Sequence, residues 1–261
     1  MLYKPYGKTG RDVSMLGFGA MRLPMLEDGT CDFEKAVPML KRGIDFGINY
    51  IDTARGYIKG TSEVAVGKAI KGYDREKLFV VTKIPSNEKE KSEAKAWREQ
   101  LDEQLGRFDM PYLDLILFHG LSWQAFNDHV SKPGFALEAA KKAQTEGLVR
   151  HIGFSSHDTP ENIQKLIGTG EFAGVLMQFN FLDTRNRNAI ENAKEAGMGV
   201  TIMGPVAGGR LGVPGSVALE GESIESLKIP ELALRFVWNT PGVTVALSGM
   251  NVMEHIDENV Q

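Results

Sequence analysis

Three residues able to move protons or hold charge stand at the ends of short apolar runs. Asp52 closes INYID, Lys83 lies near the end of LFVVTKI, and His119 closes LDLILFH. Singly, each has an ordinary structural use: a loop cap, a stem that carries its charge to solvent, a hydrogen-bonded core histidine. Together, closing three consecutive buried segments, they form a group too costly to bury unpaired. Tyr57 follows Asp52 in the loop TARGYIKGTSE. A loop tyrosine is usually packing, but beside a Lys83–Asp52 pair it becomes a proton donor. Lys83 would stabilise the phenolate and lower the tyrosine pKa from about 10, while Asp52 would keep Lys83 charged and oriented. That suits general-acid catalysis near neutral pH. Other runs also end in polar groups: Ser155 and Ser156 after RHIGF, and Gln178 and Asn180 in GVLMQFN.

The elements that must carry these residues alternate along the chain. Apolar runs at 14–20, 48–52, 78–84, 113–119, 150–155, 174–180, 198–205 and 243–249 are each followed by a helical pattern. The first helix starts near Phe33 behind an Asp32 cap and contains Pro38, which removes one backbone bond. Others start at Ser62, span 92–108, end near Gly147, start at Thr159 or Pro160, cover 189–196, and read PELALRFVW and MEHIDENV. The runs are apolar throughout rather than alternating, as in strands buried on both faces. Eight parallel strands with helical crossovers predict an α/β fold, a closed (β/α)8 TIM barrel, with an open doubly wound sheet as the rival. Ahead of them, LYKPYGKTGRDVS reads as an N-terminal β-hairpin turning at Lys8-Thr9-Gly10-Arg11, placed to plug the barrel floor. In such a barrel the carboxyl ends of the strands share one rim, where active sites lie.

The size fits one domain over 1–261: the chain has 261 residues, and a barrel typically needs about 250. Apolar residues make up 42% and charged residues 25%, as in globular proteins. A net charge of -4 without a basic run argues against a nucleic-acid partner. No apolar stretch approaches the roughly 18 residues of a membrane span, and MLYKPYGKTG lacks signal-peptide order. The single cysteine, Cys31, excludes an internal disulfide framework and a cysteine-rich metal site. These features predict a cytoplasmic protein with no metal; they leave its oligomeric state open.

The segments GINYIDTARGYIKGTSEVAVGKAI, VVTKI, LILFHG, RHIGFSSHD, LMQFN and the closing DEN resemble the aldo-keto reductases over nearly the whole chain. The resemblance implies a barrel that binds an extended nicotinamide dinucleotide across its carboxyl end, without a GxGxxG loop; the chain has no such fingerprint. It implies transfer of hydride to an aldehyde or ketone, with Tyr57 donating the proton, Lys83 and Asp52 tuning it, and His119 orienting the carbonyl. Ser155, Ser156 and Gln178 should hold the nicotinamide carboxamide, although the family often has Ser-Asn where this chain has Ser155-Ser156. The backbone at Gly19, Ala20 and Met21 should approach the nicotinamide, and Met203 should pack on it where many members stack a tyrosine. The stretch GPVAGGRLG suits the pyrophosphate, through Gly204, Pro205, Val206, Gly208 and Gly209, because glycines let amides approach anions.

At the adenosine end the resemblance assigns Gly249, His255, Glu258 and Asn259. NADP(H) is favoured slightly over NAD(H), with His255 as the only obvious cation for a 2′-phosphate. Met21, Trp123 and Phe126 are expected to line the pocket for a small carbonyl substrate. The chain ends earlier than members usually do, without their last helix and loop or the iron–sulfur tail of some bacterial branches, so a C-terminal truncation relative to the family is expected. Two other readings stay open: a nucleotide-binding, redox-sensing barrel with little turnover, and an unrelated barrel lyase using Lys83 as a Schiff base.

Overall fold

The computed structural model describes residues 1–212 and 229–261. The chain opens with β1 (Tyr3–Pro5) and β2 (Asp12–Ser14), an antiparallel hairpin with Tyr3 opposite Ser14. Eight parallel strands follow: β3 (Leu16–Gly19), β4 (Tyr50–Asp52), β5 (Phe79–Pro85), β6 (Leu113–His119), β7 (Val149–Ser156), β8 (Gly174–Gln178), β9 (Gly199–Met203) and β10 (Val245–Ser248). They pair in chain order, and β10 returns to β3, with Ser248 opposite Phe18, to close the barrel. Around it lie α1 (Phe33–Asp45), α2 (Thr61–Ile70), α3 (Ala94–Phe108), α4 (Ala136–Thr145), α5 (Pro160–Gly168), α6 (Arg187–Glu195), α7 (Ile229–Trp238) and α8 (Met253–Asn259). The predicted barrel and hairpin are both present.

Helix starts follow local chemistry. The Asp32 side chain accepts from Lys35 N at α1, and Thr159 accepts from Asn162 N at α5, where Pro160 takes the first helical position. Pro38 lies inside α1 without ending it. The apolar run 14–20 proves to be two elements, because Ser14 ends the hairpin and its Oγ donates to Leu16 O at 2.7 Å before the barrel strand begins. The run 174–180 stops as a strand at Gln178, since the Asn180 side-chain oxygen accepts from Leu182 N and Asp183 N to make a turn.

Among the described residues two apolar cores result. The larger fills the space between strands and helices, and a smaller one fills the barrel: Tyr6, Val13, Tyr50, Phe79, Val81, Leu115, Leu117, Leu176, Val245 and Leu247. Strand alternation then sets which residues point inward. Asp52 follows Tyr50, Lys83 follows Phe79 and Val81, and His119 follows Leu115 and Leu117, each by steps of two. The hairpin closes the floor through Tyr6, whose hydroxyl meets Thr201 Oγ1 at 3.1 Å, and Thr201 in turn donates to Tyr50 at 3.0 Å. Tyr6 fits because Gly174 and Gly199 have no side chains; an added Cβ would lie 2.6 and 2.3 Å from its atoms. Among the described residues no helix is long and apolar enough to cross a membrane.

Gly199→Ala should therefore force Tyr6 off its seat and destabilise the barrel by about 1–3 kcal/mol. Urea denaturation checks this; an unchanged midpoint would show that the floor is not packed in this way.

Candidate active site

Lys83 is 1% exposed and Asp52 3%. The Lys83 ammonium donates to Asp52 Oδ1 at 2.5 Å and to Thr53 O at 2.8 Å. It also lies 4.7 Å from the centre of the Tyr57 ring. The Tyr57 and His119 rings meet edge to face, 6.0 Å apart at 82°. The structure thus brings together all four residues singled out in the sequence, on the rims of β4, β5 and β6.

Neighbouring elements fix each one. Thr53 Oγ1 and Ser62 Oγ share a hydrogen bond of 2.7 Å, and Ser62 Oγ donates to Ala20 O at 2.8 Å, tying the ends of β3 and β4 to α2. Behind β5, the buried Glu63 carboxylate accepts from Thr82 Oγ1 at 2.6 Å, Gln104 Nε2 at 2.5 Å and Arg107 at 3.2 Å. Gln104 also donates to Lys83 O at 3.2 Å. Immediately after Tyr57 the chain turns through three left-handed residues, Ile58 (φ 50°), Lys59 (φ 51°) and Gly60 (φ 81°). That conformation is costly at a β-branched residue, and burial of Ile58 against the outer core offsets it. Lys59 holds the turn to the β3–α1 loop by donating to Asp28 O.

Burial and charge then set the protonation states. Burial opposes the Lys83 ammonium, but the Asp52 carboxylate and Tyr57 outweigh it and hold the lysine above its ordinary value. For Tyr57, burial pushes the hydroxyl up; Lys83 pulls it down and Asp52 pushes it up again, and the outcome is a raised pKa. The lowered value expected from the sequence is therefore corrected, because desolvation outweighs the ammonium. Burial, with Lys83 and His157, drives His119 down to about 4. At neutral pH the site holds a protonated phenol, a neutral imidazole and a charged lysine.

A cavity of about 230 Å³ opens above this group. Asp52 and Tyr57 form part of its wall with Gly19, Met21, Met203, Gly204, Pro205, Val206, Gly208, Gly209 and Gly249, all residues expected at the cofactor. Gln178 lies against Gly204, where an added Cβ would come 2.6 Å from the glutamine amide. Ala20 is buried. Ser155 and Ser156 are buried at the end of β7, with Ser155 Oγ accepting from Gly120 N at 2.9 Å and Ser156 Oγ donating to Leu121 O at 2.7 Å. His255 and Glu258 are exposed on α8, and Asn259 donates to Ser248 Oγ at 3.1 Å, seating that helix against the cavity wall.

Two of the expected pocket residues lie away from this cavity wall. Phe126 is buried against Phe172 and stacks with Trp123, while Trp123 N is held by Asp158. Trp123 is partly buried against the outer core, and of the three expected substrate-pocket residues Met21 is the one in the wall of this cavity. Four wall residues were missed: Arg22, Leu176, Leu247 and Ser248. The period-two pattern could have found Leu176 and Leu247. Arg22, whose side chain lies over Gly249, carries no sequence signal beyond its place after Met21. Among the described residues no group of three His, Cys, Asp or Glu could hold a metal ion.

Residues 15–213 match the Aldo/keto reductase family. The fold superposes on an aldo-keto reductase from Bacillus halodurans in its holo form with a TM-score of 0.84 and 26% identity, covering 100% of this chain and 90% of that one. An aldo/keto reductase from Klebsiella pneumoniae in complex with NADP and acetate gives 0.77 and 25%, covering 97% and 87%. The NADH-specific methylglyoxal reductase of Escherichia coli (strain K12) is 25% identical over 302 residues, 98% of this chain and 91% of that protein.

The depressed His119 value makes a pH prediction. The folded chain binds this proton less readily than the unfolded chain, so neutral His119 contributes stability that is full above about 6.5 and declines as pH falls toward 4. Proton NMR should find the ring titrating near 4. A midpoint near 6.5 would contradict its desolvated setting.

Proposed function

The chain belongs to the aldo/keto reductase family, and on that basis we propose that it reduces an aldehyde or ketone with Tyr57 as the general acid. The observation that carries this reading is the buried Lys83–Asp52 pair beside Tyr57, with the His119 ring against it. When bound, a nicotinamide dinucleotide would supply hydride to the carbonyl carbon. The cavity fits such a group. Its wall combines apolar Met203 and Leu247 with the flexible backbone of Gly204, Gly208 and Gly209, all at positive φ, and the Gln178 amide lies behind Gly204. Ser155 keeps a hydroxyl proton to donate, so Ser155 and Gln178 would hold the carboxamide.

The chain's own residues do the rest. Tyr57 holds its proton at neutral pH because burial disfavours the phenolate. A carbonyl oxygen placed at the Tyr57 hydroxyl and the His119 ring becomes an alkoxide as hydride arrives, and Tyr57 protonates it. The phenolate left behind is stabilised by the Lys83 ammonium, whose charge Asp52 secures; stabilisation where charge develops is commonly the largest contribution in such sites. His119, being neutral, orients the oxygen with a ring N–H and does not compete as the acid. The same ammonium argues against a Schiff-base lyase, since Lys83 is held charged between Asp52 and Thr53 O and so lacks a nucleophilic lone pair.

For the cofactor we place NADP(H) ahead of NAD(H). Arg22 adds a cation at the cavity wall, and His255 stands exposed on α8. The Klebsiella pneumoniae structure holds NADP, whereas the Escherichia coli relative is NADH-specific. Met21 at the mouth gives a small carbonyl substrate an apolar contact.

Tyr57→Phe should lower turnover on a panel of aldehydes and ketones by at least about 100-fold while leaving the dissociation constants of NADPH and NADH within about twofold. Retained turnover would remove Tyr57 from its role, and loss of nucleotide binding would show that the tyrosine holds the cofactor instead.

A further inference from the structure

The two serines that end β7 face opposite ways. Strand alternation sends Ser155 into the barrel and Ser156 outward, on the face of Phe154, which packs in the outer core. Ser156 pairs in register with Met177, another outer-core residue. Its hydroxyl is already engaged: Oγ donates to Leu121 O at 2.7 Å and accepts from Asp158 N at 3.1 Å.

The bond to Leu121 is one of a set around the turn that follows His119. Gly120, in the left-handed region at φ 65°, takes the chain sharply off β6. Its N–H donates to Ser155 Oγ at 2.9 Å, and its carbonyl accepts from Asn87 Nδ2 at 2.7 Å. Leu121 N donates to Ser155 O at 2.7 Å. Ser122 N donates to Asn87 Oδ1 at 3.1 Å, and Trp123 N to Asp158 Oδ2 at 2.9 Å. Every amide from Gly120 to Trp123, and the carbonyls of Gly120 and Leu121, are thus held by the end of β7, by Asp158 just beyond it, or by Asn87 from the loop after β5. Such a turn fixes the backbone from which the His119 side chain projects.

We infer that Ser156 and Asn87 are positioning residues that set the His119 ring for the carbonyl oxygen, and that Ser156 is not a contact of the nicotinamide. The inference rests on the reductase reading for the role of His119, but the clamp itself is made by this chain's residues alone. It also accounts for a hydroxyl at position 156: a short side chain on the outward face reaches Leu121 O, while the carboxamide is left to Ser155 and Gln178.

The test uses the whole chain with Ser156→Ala and, separately, Asn87→Ala. Asn87 is exposed, so its replacement spares the core even if Ser156→Ala folds poorly. Two quantities are read. The first is steady-state reduction with the dissociation constants of NADPH and NADH. The second is the NMR titration of the His119 ring, which faces Lys83, Tyr57 and His157. Both variants should bind dinucleotide within about twofold of the parent and lose about tenfold in kcat, with a higher carbonyl KM, because the ring is displaced. In both, the ring titration should move up from about 4 as the loosened imidazole reaches water. The inference is overturned if Ser156→Ala weakens dinucleotide binding tenfold with the ring titration unmoved, or if both variants match the parent in both readouts. If the parent reduces no carbonyl with either dinucleotide, the reductase reading fails, and the ring titration still decides whether the clamp acts on His119.

Discussion

The site depends on one buried ion pair. An ammonium taken out of water is expensive, and losing one partner of such a pair leaves the other stranded. Lys83 is supported by Asp52 Oδ1 and Thr53 O, both at the end of β4, the strand beside its own. Parallel register makes this possible. Asp52 sits opposite Val81, so Lys83 lies one inward step further along β5, and His119, opposite Pro85, one step beyond that. Charge, lysine and imidazole climb the rim as a staircase. Tyr6, Tyr50 and Thr201 close the barrel below them, and Glu63 with Gln104 braces β5 from behind.

The same burial that makes the pair costly gives its neighbours useful protonation states. It raises Tyr57, keeping the phenol protonated, and lowers His119, keeping the imidazole neutral in spite of its polar surroundings. In the proposed reaction Lys83 would act mainly on the product of the proton transfer. It does not make Tyr57 a strong acid at rest; it would make the phenolate tolerable once the proton had gone. A sequence shows which charges are near one another but not how dry they are, so the direction of the Tyr57 shift is not legible in it.

Other successes and failures have equally local causes. The barrel was legible because runs such as LFVVTKI and LDLILFH are apolar on both faces, and Asp52, Lys83 and His119 were legible because each continues the inward series of its strand. The break at Met15 was hidden, because hairpin and barrel strand are joined through it with no turn residue between them. A loop aromatic such as Trp123 or Phe126 has the same signature at a rim or in a core; Phe172, the packing partner of Phe126, lies far along the chain. Ser155 and Ser156 are adjacent in sequence yet face the barrel interior and the outer core respectively, because side chains alternate along β7. Arg22 could be recognised only once β10 had brought Gly249 beneath it.

The central claim is that this staircase supports hydride delivery to a carbonyl carbon. The direct measurement is incubation of the protein with NADPH or NADH carrying deuterium at both C4 positions and a reactive aldehyde, followed by mass spectrometry of the alcohol. The account predicts one deuterium on the carbinol carbon, with stoichiometric oxidation of the dinucleotide. An alcohol without label, or dinucleotide that binds and is never oxidised across aldehydes and ketones, would contradict it.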